Sequence, residues 1–500
     1  MLNRAARAAS LAVLILLALA TTHPIAQAAP QFDLTLTVNS EADAPAASPL
    51  NDGVCDTAAD SHQCTLRAAI MKANNWHGGN VTIILPSLPP GHTYLLTNGP
   101  LGANDDGTGD LNLYPAAGRA SVTLQGADAA TTIIDGSALA PADRVLSIAP
   151  GVAVSIFYVT IQGGHASQGG GLANGGSLNL VGSILKGNQA VSAGQAQGVG
   201  AGLYNTGIVT LSSDLIAGNT SMGDSGGIFN GSVMALRYTN ILGNVADIGD
   251  GGITNVGTLT LDHSEVAGNT AHSGGGITNS HGVLTMTASA LTDNAGTTST
   301  GGGLYNSCSV ATLVNSTVSS NTSNGDGGGI ANIDLGGPCG TDLKLRSDTL
   351  ALNTTAASGG GLFNSSFSTV DLQDTILSNN QIGGAGFNPS DCSGVMASEG
   401  YNLISSTAGC IFTPASGDIV DQFALLRPLA YNGGLTHNHA LNPDSPAVDA
   451  GSPGGCTDGA NQLLTDQRDA PRLAFGRHSF TCDIGSFELQ QTVDLPAIFR

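Results

Sequence analysis

The chain has 500 residues, 70 of them glycine, with 4% aromatic and 10% charged side chains. Lys and Arg total 15 against 37 Asp and Glu, a net charge of −22. That balance excludes a nucleic-acid partner, which needs clustered cations, and a 41% hydrophobic fraction excludes a flexible glycine polymer.

Residues 1–28 read as a secretory signal. Arg4 and Arg7 precede an apolar run from Leu11 to Ala20, and Ala26-Gln-Ala28 is a small-residue cleavage site. The run is too short to span a bilayer comfortably, and no later segment is long enough. Removing the signal leaves 13 cationic and 37 acidic side chains, a net charge of −24. The expected location is extracellular or cell-surface, for a monomer with no transmembrane helix. Eight cysteines in an exported chain point to disulfides. Taken in order they pair locally, as Cys55–Cys64, Cys308–Cys339, Cys392–Cys410 and Cys456–Cys482. Cys308 and Cys339 follow the repeat residues Asn306 and Asn332, which puts both in one bend of successive coils. Order alone leaves other pairings open.

Residues 29–79 form an N-terminal unit. Phe32, Leu34, Leu36 and Val38 alternate as a lead-in strand. Leu66, Ala69, Ile70 and Ala73 share one helical face, so a short helix is expected to cover the open end of the first coil. Arg67 on that helix reads as a structural ion pair. The less regular early coils of 80–165 enclose Asn104-Asp-Asp-Gly-Thr-Gly-Asp110. Closely spaced oxygens on a glycine-rich loop make Asp105, Asp106 and Asp110 candidate Ca²⁺ ligands; a solvated turn is the alternative. No cofactor is required.

From Gly169 to Asn380 one unit repeats eight times. Its first part ends in Asn174, Asn205, Asn230, Asn255, Asn279, Asn306, Asn332 and Asn364, at spacings of 24 to 32 residues. Such a period marks a solenoid. The second part is clearest at Leu259-Thr-Leu-Asp-His-Ser-Glu-Val-Ala-Gly-Asn269. Apolar residues stand at its first, third and eighth positions, a small polar residue at the sixth and Asn at the eleventh. A spacing of two is a strand signal. Three short strands per ~25-residue unit leave no room for a crossover helix, so each unit is a coil stacked on its neighbours at ~4.8 Å. Leu then stacks on Leu, and Asn on Asn. A propeller needs ~40 residues per blade and is excluded.

This pattern resembles the right-handed parallel β-helix, the pectin-lyase-like fold, and its Gly-Gly-x-Leu and Gly-Asn-Thr-Ala phrases resemble repeats of the polymorphic outer membrane proteins. Cys64-Thr-Leu-Arg-Ala-Ala resembles the Cys-Ser-Leu-Arg-Glu-Ala (CSLREA) domain of exported bacterial β-helix proteins, with Thr65 and Ala68 replacing its Ser and Glu. Gly400-Tyr-Asn-Leu403, Leu429-Ala-Tyr-Asn-Gly-Gly434, Thr436-His-Asn-His439, Ser445-Pro-Ala-Val-Asp449, Thr465-Asp-Gln-Arg468 and Cys482-Asp-Ile-Gly-Ser-Phe-Glu488 resemble the choice-of-anchor Q domain, with Asn438 and Asp469 departing from it. The expected architecture is all-β: a helix over 80–384 between the N-terminal cap and a C-terminal capping module over 385–490, then a tail over 491–500.

The C-terminal unit gathers His437, His439 and Asp449. His-x-His on a strand puts both imidazoles on one face, which suits a shared metal ion; the alternative is a buried hydrogen-bond network closing the far end of the solenoid. Within the repeats Asp262, His263 and Glu265 are the one tight acid–base trio. His263 and Glu265 flank inward Ser264, so both are expected to face solvent. Glycoside hydrolysis needs two carboxyls ~5–9.5 Å apart, and Asp214 and Asp348, five coils apart, cannot cooperate. The expected function is therefore non-catalytic: adhesion, or binding of an extracellular carbohydrate or protein ligand. A polysaccharide lyase or glycoside hydrolase, with Asp262, His263 and Glu265 as its catalytic candidates, is the alternative.

Overall fold

The computed structural model describes residues 32–97, 108–139, 143–192, 197–298, 300–334, 336, 339–383, 388–472 and 481–490. The signal, Asp105, Asp106 and the tail fall outside them. The chain is a parallel β-helix in which every strand pairs with its counterpart one coil away. Each repeat coil carries four strands where the sequence suggested three. In one coil they are Ile253–Asn255, Thr258–Asp262, Glu265–Ala267 and Thr270–Ala271. We call the faces they build first to fourth. The third is a 13-stranded sheet and the fourth a 9-stranded one. The first and second join into 24 strands because Cys392–Gly400 pairs with both.

Register follows the apolar pattern. Leu236, Leu261 and Met286 stack on the second face, and Ile241, Val266 and Leu291 on the third. All are buried in one continuous core. A one-residue slip would turn this whole row to solvent.

Three hydrogen-bonded ladders line the bends. Asn230 Nδ2 donates to Asn255 Oδ1 at 2.8 Å, and Asn255 to Asn279 at 2.7 Å. In the second ladder each Asn uses both its backbone N–H and its amide: Asn244 donates twice to Asn269 Oδ1, at 2.8 and 3.0 Å. The third runs through the small polar position, where Thr239 N–H donates to Ser264 Oγ and Ser264 N–H to Ser289 Oγ. All three donate toward the C-terminus. The second and third end on carboxylates, Asn380 on Asp391 and Asn402 on Asp418. An ionised carboxylate accepts without donating, so it closes a one-way ladder with no group left over. The glycine runs serve the same bends: a Cβ on Gly303 would sit 2.7 Å from the Gly329 carbonyl and 3.0 Å from the Asn321 amide.

The N-terminal helix α1 (Leu66–Asn74) forms as expected, with Thr65 as its N-cap accepting from Ala68 N–H at 3.1 Å. Arg67 and Lys72 are buried beneath it and paired. Arg67 meets Asp43 at 2.6 Å and the Gly109 carbonyl at 2.7 Å; Lys72 meets Asp52 at 2.8 Å and the Pro49 carbonyl at 2.6 Å. Leu34–Thr37 pairs with Val81–Leu85 as the lead-in strand.

Within the C-terminal unit, residues 392–420 add the last short strands of the solenoid. Residues 422–472 and 481–490 turn back along the flank and cover the third face over successive coils. Ala424 N–H bonds to Ser378, Ser452 to Asp374, Ser486 to Thr349, Thr465 to Asn315, Gln467 to Ser289 and His437 to Glu265. No helix of the described residues is long and apolar enough to cross a membrane.

All four disulfides join the expected pairs. Denatured, unreduced protein is expected to show no free thiol and reduced protein all eight; eight reactive thiols before reduction would contradict this pairing.

Candidate functional site

The acid–base trio lies where the flank segment begins to cover the third face. Two residues upstream on that face, Ile184 and Leu215, point outward and are half-buried. From Glu265 onward the equivalent row is buried, through Ala290, Thr317 and Thr349. Glu265 therefore does not face solvent, contrary to the sequence expectation: it is 2% exposed. Its carboxylate accepts from His437 Nδ1 at 2.6 Å, Thr292 Oγ1 at 3.1 Å and Tyr431 OH at 3.4 Å. The charge is desolvated but hydrogen-bonded, as a buried carboxylate must be.

His263 is also largely covered. Its Nδ1 donates to Asp262 Oδ1 at 2.6 Å. Its Nε2 lies 3.1 Å from Asp469 Oδ2, off the line of a hydrogen bond. Asp262 is further paired with Arg237 on the preceding coil at 3.2 Å. Two aromatic rings flank the cluster. Tyr238 packs against His263 with ring centroids 5.4 Å apart and carries the Arg237 guanidinium 5.0 Å above its face. Tyr431 packs on His437 at 3.8 Å yet remains 58% exposed. Burial, and then the Glu265 carboxylate, hold the Tyr431 phenol above its ordinary range. It therefore stays a neutral donor.

The expected metal ligands are not brought together. His437 addresses Glu265, whereas His439 addresses Ser319, two coils further on, ~10 Å along the axis. His439 Nδ1 donates to the Arg427 carbonyl at 2.7 Å, so its Nε2 accepts from Ser319 Oγ at 2.8 Å. Burial holds this imidazole below its ordinary range, which keeps it neutral. Both ring nitrogens are used. The Asp449 N–H donates to Asp483, and its carbonyl accepts from Thr481. Among the described residues, Asp374, Cys456 and Cys482 have ligand atoms grouped closely enough for an ion, but both cysteines are spent in a disulfide. Asp110 is buried and bonded to Asn112 at 2.7 Å and Arg144 at 3.4 Å; burial raises its pKa above the usual carboxylate range.

Arg237, Tyr238, Tyr431 and Asp469 also belong to this cluster. Register alone brings Arg237 and Tyr238 beside Asp262 and His263, one coil away. Tyr431 and Asp469 come from residues more than 160 positions away, and no periodicity links them.

No family model matches the chain, and no curated protein does. Among solved structures the chain is similar to pectate lyase Pel9A, at 14% identity and a TM-score of 0.35, covering 92% of this chain and 97% of that one. It is also similar to the Dettilon tailspike protein gp208, at 11% identity and a TM-score of 0.34, covering 73% of this chain and 68% of that one.

Proposed function

We propose that this is an exported, non-catalytic β-helix rod that binds an extracellular glycan where the flank segment meets the third face. The observation that carries this reading is the contrast within the cluster. Glu265, His263 and Asp262 are tied to partners, while Tyr431 and the 60%-exposed Arg237 side chain face solvent. A general acid or base must reach the bond it serves, and here Glu265 holds His437 and Tyr431 of the flank segment while Asp262 is paired with His263 and Arg237. The exposed aromatic ring and the guanidinium offer what a sugar face and its hydroxyls use. The leader and the four disulfides support export.

Binding of the purified protein to a panel of immobilised extracellular glycans tests the reading. Tyr431→Ala is expected to lower affinity about tenfold or more, as loss of an aromatic anchor does, with the melting temperature held. Equal binding by the variant, or no binding by the wild type to any glycan, would contradict it.

A further inference from the structure

Upstream of the cluster the third face stays open, and a second feature lies on it. A groove of about 470 Å³ runs along the corner between the third and fourth faces, lined by Asp135, Ser137, Gln162, Lys186 and Ala217 together with three glycines. Its volume falls within the range of ligand sites. Its polar groups differ in how far they are committed. Asp135 accepts from Gln162 Nε2 at 2.8 Å and from Ser137 N–H at 2.8 Å, so one end is a fixed polar wall. Lys186 is exposed and makes no ion pair among the described residues, unlike Arg67, Lys72, Arg144, Arg237, Lys344, Arg346, Arg468 and Arg472.

The groove floor is bare backbone. Gly163, Gly187 and Gly218 stand at the corner with φ of 71°, 60° and 60°. Gly243 and Gly268 continue the row on the next two coils, and beyond them the same left-handed corner is filled by Asp293, Ser320, Leu352 and Asn379, at φ of 56° to 64°. The corner therefore does not itself demand glycine. A Cβ at Gly163 would meet Asp135 Oδ1 at 2.7 Å, but one at Gly187 or Gly218 would meet nothing within 4 Å, so at these two positions glycine keeps the surface clear rather than avoiding a clash. Clear backbone permits close approach by a ligand.

Register connects the groove to the cluster. Lys186, Ala217, Leu242 and Ala267 form one outward row, and Ala267 shares its strand with Glu265. The downstream end of the groove is two coils from Glu265, ~10 Å.

We infer that this groove is an extended glycan subsite, and that the ligand of the proposed function is a linear polysaccharide whose carboxylates are separated by neutral sugars. The inference rests on the glycan-binding reading and deepens it. One unpaired ammonium along four coils matches an isolated carboxylate. A densely charged polyuronate would meet one cation and a chain of net charge −22, which repels it.

Calorimetry with a gellan fragment, a neutral cello-oligosaccharide and polygalacturonate tests the inference on the intact chain. The gellan fragment is expected to bind best. Lys186→Gln should weaken its binding about fivefold and leave the neutral ligand unchanged, while Ala217→Trp, which fills the groove, should weaken both. Both positions are at the surface, and unchanged melting temperatures would confirm intact folds. If Tyr431→Ala loses binding but Lys186→Gln and Ala217→Trp bind like wild type, the groove assignment falls and the proposed function stands. Preference for polygalacturonate, or no binding to the gellan fragment, overturns the ligand class.

Discussion

Replacing Asn269 by Ala is expected to destabilise the rod by about 4 kcal/mol or more, because it strands several buried partners at once. Asn269 Oδ1 accepts from the Asn244 N–H and amide, and its own amide donates to the Ile241 carbonyl at 2.9 Å and to Asn294 Oδ1 at 3.0 Å. All three asparagines are fully buried, so no water replaces these bonds. The useful comparison is Leu261→Ala one face away. Leu261 is fully buried between Leu236 and Met286, and its truncation should cost about 2–5 kcal/mol through lost contacts and a cavity. The polar substitution should thus be comparable in damage to the apolar one. Hydrogen exchange should also show loss of protection centred on the neighbouring coils, since coupling in a solenoid is to nearest neighbours. A loss below ~1 kcal/mol for Asn269→Ala would show that the ladder is ornamental.

The second large effect depends on pH. Asp214 stands in the small polar ladder where most other coils carry Ser or Thr. It accepts from the Ser183 and Ser212 N–H groups, both at 2.7 Å, but burial outweighs these bonds and pushes its pKa to about 7. An acid whose folded pKa is raised above its ordinary value favours folding at low pH. Its contribution is fully present below about pH 4 and is lost as pH rises through 7. The loss amounts to ~4 kcal/mol at most. Asp214→Ser removes this titration. At pH 8 the variant should be more stable than the wild type, and near pH 4 the two should converge. Burial also holds Asp348, at the same position five coils on, well above the ordinary range, so the variant keeps part of the slope. Denaturant unfolding across pH 4–8 measures it. Parallel curves for the two proteins would mean that the Asp214 carboxylate is not buried as described.

The β-helix was legible because its core is written in every coil. Leu, Val and Ile at alternate positions and the two Asn rows are inward-facing, so each repeat restates the same constraint. The fourth strand was not, because Thr220–Ser221 or Thr270–Ala271 is too short to show a period of two. The burial of Glu265 was missed for a different reason. A single coil predicts only which side of its own sheet a residue faces, and what later covers that side comes from far along the chain. A trace existed even so. The outward residues of the third face shrink from Ile184, Lys186 and Leu215 to Ala290, Thr292, Thr317 and Ser319 where the flank segment lies close. A row of small hydroxyl and methyl side chains on an otherwise outward face marks a covered surface.

The most direct test of the account follows one glycan through both binding and turnover. The intact protein is incubated with each glycan that it binds, and bound sugar is measured beside newly formed reducing and unsaturated ends. The account predicts saturable binding, lost in Tyr431→Ala, with no new chain ends over extended incubation. New chain ends formed by the wild type and abolished in Glu265→Gln would contradict it, and would make the buried carboxylate a working group.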